Sequence, residues 1–425
     1  MEETERLSES IKELLGGRRD KRLANVLEEA HPADVSRVIR ELPVEDQVRV
    51  FRLMSPQHAG AVLSELDDPV LRELVGSLDE AEVSRALDRM PSDEVANVVE
   101  ELSKDQAEEI LDLMEEEKAE EVQGLLEYEE GTAGRLMSPD FVAVHEQATV
   151  ARALEHIRKA KTGDGAFYVY VVDDHDHLVG LVPLHRLLAA EPATPIQAIR
   201  TEDVESVTVN TDQEEVARLV QHYNLIQVPV VDASRRLLGT IGVDDVIDVI
   251  REEATEDIQR LGGAAGDETV LDPPRAVFLK RLTWRLINLG TAVLAASVIG
   301  LFESSIQALA TLAVFMPIVA SMGGIGTTQT ATLVVRGIAL GDMTGSVLQR
   351  VLWKEIWLGL TTGAANGLVI AAIAYIWKGQ VLLALVLGVA LVFNMLVAAV
   401  VGTLVPIALK TFRVDPAIAS SVIIT

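Results

Sequence analysis

Asp245, Asp248 and Glu252 are spaced i, i+3 and i+7, and Glu253, Glu256 and Asp257 follow in a similar pattern. On a helix such residues share a face. Like charges so placed repel. A divalent cation held between two acidic faces removes the repulsion and is coordinated by oxygen. The competing reading is a solvated acidic helix, the usual fate of a charge run. A second stretch offers neutral ligands instead. In Pro317-Ile-Val-Ala-Ser-Met-Gly-Gly-Ile-Gly-Thr-Thr-Gln-Thr-Ala-Thr332, Gly323, Gly324 and Gly326 are expected to open a helix and free backbone carbonyls. Thr327, Thr328, Gln329 and Thr330 add hydroxyl and amide oxygens. Such oxygens suit a hard cation that keeps part of its water. Here the competing reading is a small-residue patch for helix packing.

The charge around these stretches is divided. Residues 275–425 hold four acids and ten Lys or Arg, which leaves 61 acids and 27 bases ahead of them. The front part carries −34, the back part +6, and the whole chain −28. An acidic head therefore precedes an apolar tail. Such a head attracts cations and lacks the clustered Lys and Arg that phosphate contacts need, so nucleic-acid binding is excluded. The chain has no cysteine, which removes disulfides and thiolate metal sites. The first fifteen residues, MEETERLSESIKELL, lack the basic then apolar pattern of a cleaved signal peptide. No Ser–His–Asp arrangement or phosphate loop stands out, and the eight histidines lack metal-site spacing, so an enzyme is not expected. His175 and His177 fall in a hairpin turn and read as solvated.

Apolar runs near 286–302, 306–322, 356–377 and 381–409 are long enough to cross a bilayer as helices. A fifth run begins at Ala417 and reaches Thr425, too short to cross. Lys280, Arg281 and Arg285 precede the first span, Arg336, Arg350 and Lys354 lie between the second and third, and Lys410 and Arg413 follow the fourth. The opposite side has Lys378 alone, so the head is expected in the cytoplasm of a multi-pass inner-membrane protein. Glu303, Asp342 and Glu355 are expected at span ends, which leaves no carboxylate inside the membrane. Asn288, Asn366 and Asn394 read as helix-packing amides.

Two patterns organise the head. Leu42, Met54, Leu66, Leu78, Met90, Leu102 and Met114 recur every twelve residues, most of them ahead of a helix-start signature. Each unit predicts one short helix, and the series an α-superhelix. Asp and Glu at the helix starts suit the helix dipole, a structural cause for much of the acidity. Beyond them, the runs 168–173 and 227–232 are each followed by a second strand-like run, 178–182 and 237–241. Asp173 to Asp232 and Gly180 to Gly239 are both 59 residues apart, an internal duplication. With helical patterns over 149–161, 211–223 and 244–256, this predicts two paired αβ units.

The duplication resembles a tandem pair of CBS domains, carried by Leu136-Met-Ser-Pro139 and Gly239-Thr-Ile-Gly-Val-Asp-Asp-Val246. The whole order resembles the MgtE magnesium channel family. The specific pieces are Glu252-Glu-Ala-Thr-Glu-Asp257 and the run from Met322-Gly-Gly to Gln329-Thr-Ala-Thr-Leu-Val-Val-Arg336. The resemblance implies a superhelical N domain over 1–130, a CBS pair over 131–250, a connecting helix over 251–275 and a transmembrane domain over 276–425. It implies a homodimeric channel that passes Mg²⁺ and is closed by cytoplasmic Mg²⁺. Asp93, Glu214, Asp245, Asp248, Glu253, Glu256 and Asp257 match the sensor positions, and residues 323–329 match the pore element. The chain departs from the family at several places. Ile325 replaces the family's Asn, and Asn97 and Asn224 stand where acids are frequent. Arg186, after His185, occupies the place of a ribose-holding Asp, which speaks against ATP in the first CBS unit; Gly242 stands where Thr is frequent in the second. The family's pore carboxylate would fall beyond Thr425. Three readings remain open: a Mg²⁺ channel gated by Mg²⁺, a channel or carrier of altered selectivity for Mn²⁺ or Co²⁺, and a non-conducting membrane-anchored Mg²⁺ sensor.

Overall fold

The computed structural model describes residues 2–17, 19–159, 167–266, 268–308, 311–343, 345–412 and 414–419. These form two compact units, residues 1–249 and 250–425.

The first unit begins with ten helices: α1 (Glu2–Gly16), α2 (Asp20–Glu29), α3 (Pro32–Arg40), α4 (Val44–Leu53), α5 (Pro56–Leu63), α6 (Asp68–Val75), α7 (Glu80–Leu87), α8 (Ser92–Glu100), α9 (Lys104–Leu113) and α10 (Glu116–Leu126). The twelve-residue rhythm is their period. Leu42, Met54, Leu66, Leu78, Met90 and Met114 are buried, one at each turn between helices. The starts are set locally. Ser55 and Ser103 accept the amides of His58 and Gln106, and Asp79 with Glu82 makes a capping box. Helices two apart pack together, α3 on α5, α5 on α7 and α7 on α9, which winds the chain into the expected superhelix. Part of the acidity is structural: Arg40–Asp67, Arg52–Glu82 and Arg72–Glu101 pair at 2.8–2.9 Å across the winding.

After α11 (Ala133–Leu136) come β1 (Ala143–His145), α12 (Val150–Lys159), β2 (Tyr168–Val172), β3 (Leu178–Pro183) and α13 (Leu184–Ala189). The pattern then repeats as β4 (Val207–Thr208), α14 (Gln213–Tyr223), β5 (Gln227–Val231), β6 (Leu237–Gly242) and α15 (Val243–Leu261). Lys161, at the end of the first expected helix, lies outside the described residues. Each repeat is a three-stranded sheet with one parallel and one antiparallel pairing. The irregularity at Val171/Val172 recurs at Val230/Val231, and the positive φ of Asp176 recurs at Arg235, so the duplication extends to backbone detail. Tyr170, Leu178, Val231 and Leu237 form one buried cluster that joins the two hairpins. The strands β1 and β4 were not expected; at three and two residues they are too short to show alternation.

The second unit holds the rest of α15 and the apolar helices α16 (Pro274–Gly300), α17 (Glu303–Ala308), α18 (Thr311–Ala339), α19 (Gly345–Lys378) and α20 (Val381–Thr411). Of these, α16, α18, α19 and α20 are long and apolar enough to span a membrane. Three expectations need correction. The connecting helix over 251–275 is not a separate element: its first part is the end of α15, which stops at Leu261 where Gly262 and Gly263 follow, Gly263 with φ 81°. The second span is displaced. It begins at Thr311 and continues to Ala339, well past Met322. Lastly, the glycines at 323–326 do not open the helix. Two of them make room for α20: a Cβ on Gly323 would lie 2.5 Å from Asn394 Nδ2, and one on Gly326 2.9 Å from Met395 Cε, whereas one on Gly324 would meet nothing within 4 Å. Asn394 Nδ2 donates to the Val319 carbonyl at 2.6 Å, which ties the two helices as a mid-span amide can. Arg413 and residues 420–425 of the fifth apolar run lie outside the described residues.

Candidate functional site

The start of α15 gathers the first acidic group. Its turn carries Asp244 and Asp245, and the Gly242 amide donates to Asp245 Oδ2 at 3.0 Å. Gly242 leaves this space to the acids: a Cβ there would lie 2.1 Å from Asp244 Oδ1, so that side chain would have to turn away. The superhelix contributes Asp93 and Glu94 from the first turn of α8. Asp93 is 8% exposed, and its Oδ1 is buried without a hydrogen-bond donor among the described residues. Burial raises the proton affinity of Asp93 above its ordinary value, with Asp140 and Asp244 adding to it. Asp245 is pushed up to about 7 by burial and then by Asp93 and Asp244. Glu94 is pushed up to about 6 by burial and then by Asp93. Asp140, after Leu136-Met-Ser-Pro139, is raised by burial and by Glu121. Among the described residues the charges that act most on Asp93 and Asp245 are acidic, while Lys118 acts on the neighbouring Asp140. Oxygen ligands from two parts of the head, one with an unused buried lone pair, fit a hard divalent cation.

The far end of α15 builds a different group. Burial raises Glu256 and Asp257, and Glu253 and Asp415 push both further up. Asp415 lies past the fourth span and accepts the Ala417 amide at 2.8 Å. Here a cation is already present. Arg260 binds Glu256 one turn back and Asp415 across the unit. A mobile ion would have to share these acids with a guanidinium.

In α18 the pore residues divide by face. Gly323, Gly326 and Thr327 are buried, and Thr327 Oγ1 donates to the Gly323 carbonyl at 2.8 Å. Gly324 is half-buried, whereas Ile325, Thr328 and Gln329 are exposed on the other side of the helix. Thr330, buried, donates to Glu355 Oε2 at 3.0 Å. Glu355 was expected at a span end. Instead it is 6% exposed between α18 and α19, with Lys354 Nζ at 3.3 Å. Glu303 and Asp342 are exposed beside helix ends, as expected.

Three family models match in the order of the domains: the MgtE intracellular N domain over 30–131, CBS domains over 133–193 and 196–252, and a divalent cation transporter domain over 316–425. Curated proteins named magnesium transporter MgtE are 38% identical in Thermus thermophilus over 296 residues and 36% identical in Enterococcus faecalis over 298. The matches take in 69% and 70% of this chain and 66% of each relative, so the chain spans about two thirds of their length. A solved structure of the cytosolic domain of the Mg²⁺ channel MgtE, in complex with ATP, matches at 35% identity and TM-score 0.55, covering 57% of this chain and 99% of that one. The chain belongs to the MgtE family. A crystal structure of the soluble part of a magnesium transporter matches similarly, at 30% identity and TM-score 0.55.

Against the seven sensor positions expected in this MgtE chain, Asp93 and Asp245 come together, as do Glu253, Glu256 and Asp257. Glu214 sits in the first turn of α14, its amide bonded to Asp212 Oδ1, and Asp248 is exposed on α15. Glu94, Asp140, Asp244 and Asp415 were missed. The first three adjoin residues or motifs already singled out, so adjacency was a usable signal. Asp415 is 155 positions from Arg260, and nothing in the sequence links them. Arg186, which replaces the ribose-holding acid, donates to the Ile199 carbonyl and Thr201 Oγ1 at 3.3 and 3.2 Å.

Proposed function

We propose that this chain conducts Mg²⁺ across the inner membrane as a homodimer and is closed by Mg²⁺ binding to its cytoplasmic head. The observation that carries the reading is the group at the start of α15. Asp93 and Glu94 from the superhelix meet Asp244 and Asp245 from the second CBS unit, and among the described residues the charges that act most on Asp93 and Asp245 are acidic. Bringing the superhelix and the CBS pair together in this way costs electrostatic energy that a bound divalent ion removes. Mg²⁺ therefore favours the packed head, and closes the gate to the extent that it binds that state more tightly. Glu253, Glu256, Asp257 and Asp415 form a second, weaker group, in which Mg²⁺ shares acids with Arg260. Glu214 and Asp248 are assigned as further sensor ligands on family position alone.

The ion path runs along the outward face of α18, where Gly324, Ile325, Thr328 and Gln329 lie, while Gly323, Gly326 and Thr327 hold the helix to α20. Thr and Gln oxygens suit an ion that keeps its water. The helix α16, with no part of its span buried in one chain, is free to face lipid or a second copy. The basic flanks on the head's side of the spans support a cytoplasmic head. Transport, and not catalysis, is the role assigned, and no nucleotide is assigned to the first CBS unit, where Arg186 is already bonded. Ile325, half exposed on that outward face, favours a second reading in which Mn²⁺ or Co²⁺ passes better than Mg²⁺.

The test is flux into proteoliposomes holding the chain, with Mg²⁺ varied on the head side. Mg²⁺ uptake should fall as head-side Mg²⁺ rises, and Asp93→Asn with Asp245→Asn should blunt that fall. Flux insensitive to head-side Mg²⁺ would remove the sensor, and no Mg²⁺ flux with Mn²⁺ or Co²⁺ flux intact would favour the second reading.

A further inference from the structure

The β2–β3 hairpin carries a group that the cation-sensing reading does not use. Asp173, His175 and His177 each offer a ligand atom, and these atoms lie within 4.8 Å of one another. The two rings stack at 5.6 Å, nearly parallel at 18°. His177 Nδ1 is 3.0 Å from Asp173 Oδ2. Two ligands about 2.1 Å from one ion, at a right angle, lie about 3.0 Å apart. The spacing of this pair is thus that of neighbouring ligands on one metal.

The duplicated hairpin separates what the turn needs from what the histidines add. In the first repeat Asp173 Oδ1 accepts the amides of His175 and His177 at 2.8 and 2.9 Å. In the second, Asp232 Oδ1 accepts those of Ser234 and Arg236 at 2.7 and 2.9 Å. The backbone of the turn is therefore complete without a ring at either position. In both repeats one carboxylate oxygen holds the turn; in the first the other oxygen faces an imidazole. The surroundings leave the group open. Arg236, across from His177, directs its guanidinium to Asp176 at 3.3 Å, and His145 on β1 holds Asp174 at 2.9 Å.

We infer that Asp173, His175 and His177 bind a borderline divalent cation, Co²⁺, Ni²⁺ or Zn²⁺, at a site separate from the acidic groups on α15. The donor set decides the class: imidazole nitrogen suits these ions, whereas Mg²⁺ takes oxygen and gives up its water reluctantly. Two imidazoles and one carboxylate leave positions for water, so the ion is held from one side and remains exchangeable. The hairpins of the two CBS units pair at this place, with the Leu178 amide on the Arg235 carbonyl at 2.9 Å. Occupancy would therefore stiffen the contact between the two CBS units.

Co²⁺ is the probe, because imidazole ligation shifts and strengthens its visible absorption relative to the aqua ion. Metal-free full-length protein in detergent is titrated with Co²⁺ in an excess of Mg²⁺, about a hundredfold, that saturates oxygen sites. The expected result is a saturable visible band, one equivalent per chain. The comparison variant transplants the second repeat's residues, His175→Ser with His177→Arg, which the same turn already accommodates. It should lose the band and at least about tenfold in Co²⁺ affinity, with the Mg²⁺ response unchanged. Should that variant fail to fold, His175→Ala alone removes one ligand and only a ring contact, and should weaken Co²⁺ in the same sense. An unaltered band in either folded variant, or Co²⁺ displaced from the wild type by Mg²⁺, would overturn the assignment.

Discussion

The two ends of α15 carry the same kind of charge and answer it differently. At the start, Asp93, Glu94, Asp244 and Asp245 meet, the charges that act most on Asp93 and Asp245 are acidic, and among the described residues Asp93 keeps a buried oxygen without a donor. At the end, Glu256 and Asp415 are bridged by Arg260. The first arrangement stores repulsion that a mobile ion or a bound proton relieves. The second is already partly neutralised by a tethered cation, and a divalent ion gains there only what exceeds the guanidinium's bonds. An acidic surface is thus not one sensor. Its response to a metal depends on whether the chain supplies its own counter-charge.

The comparison breaks most readily at the start of α15. Asp93→Asn with Asp245→Asn keeps the oxygen that accepts the Gly242 amide and removes two charges. Metal-free protein should be more stable by about 1–3 kcal/mol, because buried like charges are lost. The Mg²⁺-induced rise in Tm should largely disappear. Thermal unfolding of the full chain in detergent, with chelator and with Mg²⁺, reads both. A double variant less stable without metal would show that the acids hold the head together by hydrogen bonds and store no repulsion.

Arg260→Gln makes the second end resemble the first. Without metal it should cost about 1.5–3 kcal/mol, the range for hydrogen bonds to charged groups. The Mg²⁺-dependent rise in Tm should increase, since the ion no longer competes with a guanidinium. A smaller Mg²⁺ response in this variant would mean that Arg260 positions the acids for the metal.

Proton competition sharpens the contrast further. Asp245 and Glu94 have folded values of about 7 and about 6, above their ordinary carboxylate values. The native state therefore binds more protons than the unfolded state over that range, and metal-free stability falls as pH rises from about 4 to about 7. Mg²⁺ binds the deprotonated form, so its affinity rises over the same interval and levels off above it. Roughly tenfold weaker Mg²⁺ binding at pH 6 than at pH 8 is expected by calorimetry. The pH dependence should shrink in the Asp93/Asp245 double variant to the part that Glu94 carries and persist in full in Arg260→Gln. An undiminished dependence in the double variant would place the titrating ligands elsewhere.

What could be read from the sequence follows from how local its cause is. The twelve-residue helices and the doubled hairpins are set by caps, turns and spacing, and they came out within a few residues. The end of α15 did not, because a helix started by Val243 continues past the CBS unit until Gly262, and the expected boundary followed domain order. The glycines at 323–326 misled for a related reason. Three glycines weaken a helix locally, but Asn394 and Met395 of α20 fill the space that Gly323 and Gly326 leave, and packing keeps the helix intact. Pairings across long separations, Asp93 with Asp245 and Arg260 with Asp415, depend on how helices are brought together. Family position reached the first pair and nothing reached the second.

The smallest effect is expected where charge is answered most fully. Glu355 is buried between α18 and α19, yet Thr330 donates to one oxygen at 3.0 Å and Lys354 lies 3.3 Å from the other. Glu355→Gln keeps an acceptor for Thr330 and loses the ion pair with a largely exposed lysine, which is worth little. It should change stability by less than about 1 kcal/mol. Thr330→Val, which leaves a buried carboxylate oxygen without its donor, should cost about 1–3 kcal/mol. Neither should alter the Mg²⁺ dependence of the Tm, since neither touches the acids of α15. Flux is the measurement that separates the remaining roles. With Glu355 acting only to hold α18 against α19, Glu355→Gln should leave Mg²⁺ flux into proteoliposomes near the wild-type rate. A loss of flux larger than that caused by Arg260→Gln, without loss of stability, would make Glu355 a charge that the passing ion meets, and would give the ion path a carboxylate one helix away from the face of Thr328 and Gln329.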